Sequence, residues 1–196
     1  MTVLFPHVKT GRTLLRPADP PDGVTVYELL QKAGLENLSS AELFAMMHLS
    51  DISAKFMVER RENGRTVGFA SLHHLDQAGG HVQASVVTDE SAASDGTAEE
   101  ATMLVVNYAF AMWNIRKVYF WTADTGFEAR SAFLKPAHEA TLSEHLYDRG
   151  QLRDLYISAV YREQWVPEGP RTLARLVQTP LGSAEDQTDR PRMEGH

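Results

Sequence analysis

The chain has 196 residues, 43% of them hydrophobic, which is enough for one domain with a full core and no covalent or metal staple. It contains no cysteine, so a disulfide framework, a thiolate zinc site and a thiol nucleophile are all excluded. A formal charge of -7 argues against extended nucleic-acid binding, whose free energy comes from clustered Lys and Arg.

The N-terminus lacks the apolar run of a signal peptide, and no stretch reaches the roughly 18–20 apolar residues of a membrane-crossing helix. A cytoplasmic protein with no membrane partner is the expectation. The pairs Arg60-Arg61 and Arg116-Lys117 read as solvated surface cations.

Residues 13–17 read as a short strand stopped by Pro17, and the Pro- and Asp-rich stretch to Gly23 is a turn. Helical spacing follows over 24–33, and Ser40 is a capping candidate for a second short helix. From Lys55 the period changes to two: Phe56 and Val58, then Val67, Phe69 and Ser71, alternate on either side of the turn at 62–65, the pattern of a β-hairpin. A further strand at 81–88 extends the meander, and a polar loop fills 89–95. Gly96 precedes the longest helix, 97–113, with Ala101, Leu104, Val105, Tyr108 and Met112 on one stripe.

A strand at 116–122, a helix at 128–135 and two strands near 140–147 and 152–161 complete the order. Trp113, Tyr119, Phe120 and Trp121 read as core aromatics. Residues 1–176 are expected to form a single domain. The stretch 177–196, nearly devoid of apolar residues, is expected to be a disordered tail.

The chemistry centres on Gly96. A glycine between a strand and a long helix lets backbone N–H groups converge, and the helix N-terminus adds partial positive charge, so the turn can hold a diphosphate. General-base candidates are His73, His74, Glu90 and Asp124, with histidine titrating nearest neutrality and Asp124 equally a turn former. No metal site is expected, since the eight histidines form no helical pair at ligand spacing. No Gly-x-Ser-x-Gly nucleophile elbow occurs either.

The order of elements, the run Gly96-Thr-Ala-Glu-Glu-Ala with Asn107-Tyr-Ala-Phe and Trp113-Asn-Ile-Arg-Lys-Val, and the ending Tyr161-Arg-Glu-Gln-Trp resemble the GNAT acyltransferase superfamily over residues 12–165. The likeness is to the branch that acetylates protein N-termini, such as those of ribosomal proteins. It implies a mixed α+β fold with a mostly antiparallel seven-stranded sheet and about four helices. It also implies acetyl-CoA or another acyl-CoA as co-substrate and direct transfer to the amine of a small molecule or peptide. Either a monomer or a homodimer is compatible.

By the same resemblance Val86, Val87 and Thr88 pair with pantetheine, and Ser94, Asp95, Gly96, Thr97 and Ala98 hold the diphosphate. The phosphate motif is degenerate: Ala93 replaces a long polar residue, and Asp95 sets a carboxylate beside the phosphates. Gly126 and Phe133 fall where the family often has Asn and the Tyr that protonates the leaving thiolate. Phenylalanine has no proton to give. The second reading is therefore a binding module, or an enzyme using an acyl carrier protein or aminoacyl-tRNA.

Overall fold

A computed structural model describes residues 4–32, 52–89, 91–92, 95–148 and 150–178. The elements are β1 (Thr13–Pro17), α1 (Gly23–Lys32), β2 (Ala54–Arg60), β3 (Thr66–Asp76), β4 (His81–Thr88), α2 (Thr97–Met112), β5 (Lys117–Thr122), α3 (Phe127–Arg130), β6 (Ala137–Asp148), β7 (Gln151–Tyr161) and α4 (Arg162–Gln178). The helix expected from Ser40 lies outside the described residues.

The seven strands form one sheet in the order β1-β2-β3-β4-β5-β7-β6, antiparallel except for the β4–β5 pair. This is the α+β architecture that the resemblance implied. The helix α2 that links β4 to β5 lies against β1, β3 and β4, as a crossover between parallel neighbours must. On this face Leu15, Phe56, Val58, Leu72, Val82, Ala84, Val118 and Phe120 meet Leu104, Val105 and Phe110 of α2. On the other face α1 packs Val26 over Met57 and Phe69. With both faces covered, Phe56, Met57 and Val58 are all buried, so the central strands carry apolar runs where simple alternation was expected.

The helix α4 is absent from the sequence-based order. Pro167, Gly169 and Pro170 inside it disrupt the helical signal, and tertiary contacts hold it in place. Trp165 and Leu173 enter the main core, so α2 is covered on its outer side and buries more than one stripe. The Arg162 guanidinium donates to the carbonyls of Phe110 (2.7 Å), Trp113 (2.5 Å) and Ile115 (2.6 Å), placing a cation at the C-terminal end of α2. Because α4 runs to Gln178, helix extends two residues into the stretch assigned to the tail; 179–196 lies outside the described residues.

Candidate active site

β4 and β5 are paired only from His81–Ala84 to Lys117–Phe120. Beyond that point β4 continues to Thr88 paired with β3 alone, and β5 continues to Thr122 paired with β7 alone. The two strands diverge, leaving a cleft whose apex lies at Ser85 and Trp121. Strand N–H and C=O groups alternate sides, so those that face the cleft have no ladder partner. Val86, Val87 and Thr88 form one edge, each half-buried. At Gly68 a Cβ would lie 2.5 Å from the Val87 carbonyl oxygen, so only glycine lets β3 and this part of β4 approach this closely.

The turn before α2 has the expected backbone, with Gly96 left-handed at φ 79°. Ala93, Ser94 and Glu90 lie outside the described residues, and Ala98 occupies the first turn of the helix. The Asp95 carboxylate, expected beside the phosphates, is engaged within the protein. It accepts the Thr97 N–H at 2.9 Å and pairs with Arg60 at 2.7 Å, while Arg12 donates to the Asp95 carbonyl oxygen. Burial pulls the Asp95 pKa upward, but hydrogen bonding from Thr97 and the charges of Arg60 and Arg12 outweigh it and hold the carboxyl below its ordinary range.

Arg60 also donates to the Ser91 carbonyl at 2.7 Å, and Arg61 donates to the Thr10 carbonyl at 2.6 Å. Arg60 is therefore withdrawn from solvent, whereas Arg61 is exposed as the sequence suggested. Glu100, buried in the first turn of α2, accepts hydrogen bonds from Thr10 and from Thr13 (3.0 Å) and pairs with Arg12 at 2.8 Å. Arg12, Arg60 and Glu100 come from three separate elements, and only the fold brings them to the turn.

On the sheet face opposite α2 lies a cavity of about 420 Å³. His81 and Gln83 of β4 with Tyr119 and Trp121 of β5 form its floor; His74 borders one side, and Glu139, Ala140 and Ile157 the other. Gln83 and Trp121 flank the cleft apex, so cleft and cavity adjoin. Trp121 is 46% exposed, and Tyr119 is half-buried. This corrects the reading of these two as core aromatics: in β5, Val118 and Phe120 take the core positions, and period two turns Tyr119 and Trp121 the other way. Trp113, also half-buried, packs edge-on against Tyr108.

His73 and His74 would point to opposite faces of a regular strand. A register shift between His73 and Asp76, with His74 left-handed at φ 50°, instead stacks the two rings at 4.9 Å. His74 Nδ1 lies 3.1 Å from Gln83 Oε1, and His73 Nδ1 lies 3.3 Å from the Gln83 backbone oxygen. Burial, then the neighbouring His74, lowers the His73 pKa and so favours its neutral form. A left-handed β-bulge residue is strained backbone, a feature that clusters at functional sites.

Asp124 is the turn former that its sequence context allowed. Its Oδ1 accepts the Gly126 N–H at 2.9 Å, and it is not among the residues that line the cavity. Gly126 precedes α3, where Phe127 packs on Phe120, and Phe133 lies in a 3-10 turn at 37% exposure. Lys117, two residues before Tyr119 on β5, is buried and paired with Glu139 rather than solvated. Among the described residues there is no cluster of His, Asp and Glu that could hold a metal ion.

No protein-family model and no curated protein matches the sequence. Solved structures do match the fold. The spermidine N-acetyltransferase of Vibrio cholerae in complex with CoA and spermine superposes with a TM-score of 0.66 and 17% identity, over 79% of this chain and 98% of that one. A chimera of the Vibrio cholerae enzyme with hSSAT gives a TM-score of 0.67 at 17% identity, over 79% and 98%. This chain therefore has the GNAT fold of those acetyltransferases.

Proposed function

We propose that the protein is an acyl-CoA-dependent N-acyltransferase that moves an acyl group, most simply acetyl, from a thioester to an amine bound in the same complex. The observation that carries this reading is the β4–β5 divergence, which offers unpaired backbone groups on Val86–Thr88 to an amide-bearing arm. The binding of CoA by a neighbour of the same fold supports it. The diphosphate would lie against the N–H groups at Gly96 and Ala98, with Arg60 and Arg12 the nearest cations; the Thr97 N–H and Arg60 are held by Asp95, and Arg12 by Glu100.

The amine approaches from the cavity on the opposite face. His74 would be the proton acceptor: in the tautomer that donates Nδ1–H to Gln83 Oε1, 3.1 Å away, Nε2 carries the lone pair. Nitrogen attacks the thioester carbonyl, the C–N bond forms and the C–S bond breaks. The amine proton passes to His74 and sulfur leaves as thiolate. Phe133 has no proton for that thiolate, which takes one from solvent. Thiolate is a good enough leaving group near neutral pH for the reaction to proceed. Holding both reactants at the cleft apex supplies much of the rate.

Calorimetric titration with acetyl-CoA and desulfo-CoA tests this reading. Binding is expected for both, and Gly96→Val should abolish it, because a side chain there occupies the space of the phosphates and disfavours the left-handed backbone. No binding at about millimolar ligand, a Kd corresponding to only about 4 kcal/mol, would refute the reading and favour a module that uses another acyl donor.

A further inference from the structure

We infer that the acceptor is a primary monoamine carried on a flat aromatic body, and that polyamines are poor substrates. This rests on the reading of the cavity as the acceptor subsite. The charge balance of the cavity is the first ground. A polyamine carries two or more positive charges, and its binding requires free carboxylates. Among the described residues that line the cavity the one carboxylate is Glu139, and both its oxygens are engaged by Lys117 Nζ, at 2.9 and 2.8 Å. The Tyr161 hydroxyl donates to it as well. A second ammonium placed here would meet a neutralised carboxylate and the Lys117 charge, an arrangement that repels it.

The second ground is the lining. Tyr119 and Trp121 stand on the same face of β5, two residues and so about 6.6 Å apart. The His81 ring meets Tyr119 edge-on at 5.4 Å, and Ile157 and Ala140 close the apolar side. A ring seated by Tyr119 places a nitrogen on a two-carbon tether near Trp121, at the cleft apex. Aromatic faces and aliphatic walls favour such a body over a solvated methylene chain. A volume of about 420 Å³ is that of a small-molecule site.

The third ground is chemical. Attack requires the neutral amine, and among the described lining residues there is no surplus negative charge to stabilise the ammonium form. A carboxylate-rich site would hold the substrate protonated and leave the base to remove that proton at greater cost.

The test is acyl transfer from acetyl-CoA, followed by thiol release, with 2-phenylethylamine and spermidine as competing acceptors, and with acetyl-CoA binding measured separately by calorimetry. The kcat/KM for 2-phenylethylamine should exceed that for spermidine by about tenfold or more, and Trp121→Ala should reduce this ratio by about tenfold. Lys117→Met, which removes the cation paired with Glu139 and leaves its charge uncompensated, should shift the ratio toward spermidine. If acetyl-CoA binds but spermidine is preferred, neither amine is accepted, or the ratio is unmoved in both variants, the inference is overturned. If acetyl-CoA does not bind, it is the acyltransferase reading that fails.

Discussion

Asp95→Ala separates the structural from the functional consequence of the most unusual residue at the turn. The substitution removes a hydrogen bond to the Thr97 N–H, with a net contribution of about 1 kcal/mol. It also removes an ion pair with Arg60, whose partly exposed carboxylate limits its contribution to roughly 0.5 kcal/mol. A loss of about 1.5 kcal/mol corresponds to a melting temperature lower by roughly 3–6 °C in a chain of this size. The effect on CoA has the opposite sign. A carboxylate about 6 Å from each charge of a diphosphate contributes roughly 1 kcal/mol of repulsion in screened solvent, and its removal also releases Arg60 toward the phosphates. CoA binding should therefore tighten by about fivefold to tenfold.

The pH dependence of stability provides a further readout. A folded-state pKa below the ordinary 3.8 means that Asp95 stabilises the fold above that pH, and the contribution is lost as pH falls through the lower folded value. Asp95→Ala should lack this acid-side component. Thermal melts between neutral pH and about pH 3, with calorimetric titration of CoA at pH 7, measure both quantities. Weaker or unchanged CoA affinity in the variant would refute the reasoning, showing that Asp95 organises the turn for its ligand more than it opposes it.

Phe133→Tyr should raise the single-turnover rate of thiol release several-fold, by up to the roughly hundredfold that a positioned general acid supplies; an unchanged rate would show that the leaving sulfur is not reached from this position. Gly169→Ala should lower stability, although the same change in most helix interiors raises it by about 1 kcal/mol. The added Cβ would lie 2.3 Å from the Trp165 ring, which is 2% exposed and has no room to yield. The overpacking cost of about 1–3 kcal/mol then exceeds the propensity gain. A higher melting temperature for Gly169→Ala would refute that packing.

Local pattern was enough for most of the elements. The β2–β3 hairpin turn, the strand at 81–88 and the long helix from Thr97 stand where period and punctuation put them, because each is specified by neighbours within a few residues. Boundaries shifted where local signals are weak: β6 begins at Ala137, and the helix expected at 128–135 is one turn of α3 followed by a 3-10 turn. The helix α4 was not legible, since its prolines and glycine argue against a helix until Trp165 and Leu173 are seen in the core.

In the candidate site, the glycine at the entry to α2 and the turn-forming Asp124 were legible as single-residue chemistry. The state of Asp95 was not, because the cation that neutralises it is Arg60, on another strand 35 positions away in sequence. Nor could strand alternation show that His73 and His74 share a side, since the bulge that stacks them depends on pairing with β4.

By itself, then, the sequence determined most of the strands and helices and the turn that leads into α2, products of short-range periodicity and backbone preference, while the fold class came from the resemblance its motifs carry. Tertiary structure alone decided where β4 and β5 part, which aromatics face the cavity and which charges meet at the turn. Each of these is a pairing between segments distant in the chain, and a linear pattern carries no record of its partner's position.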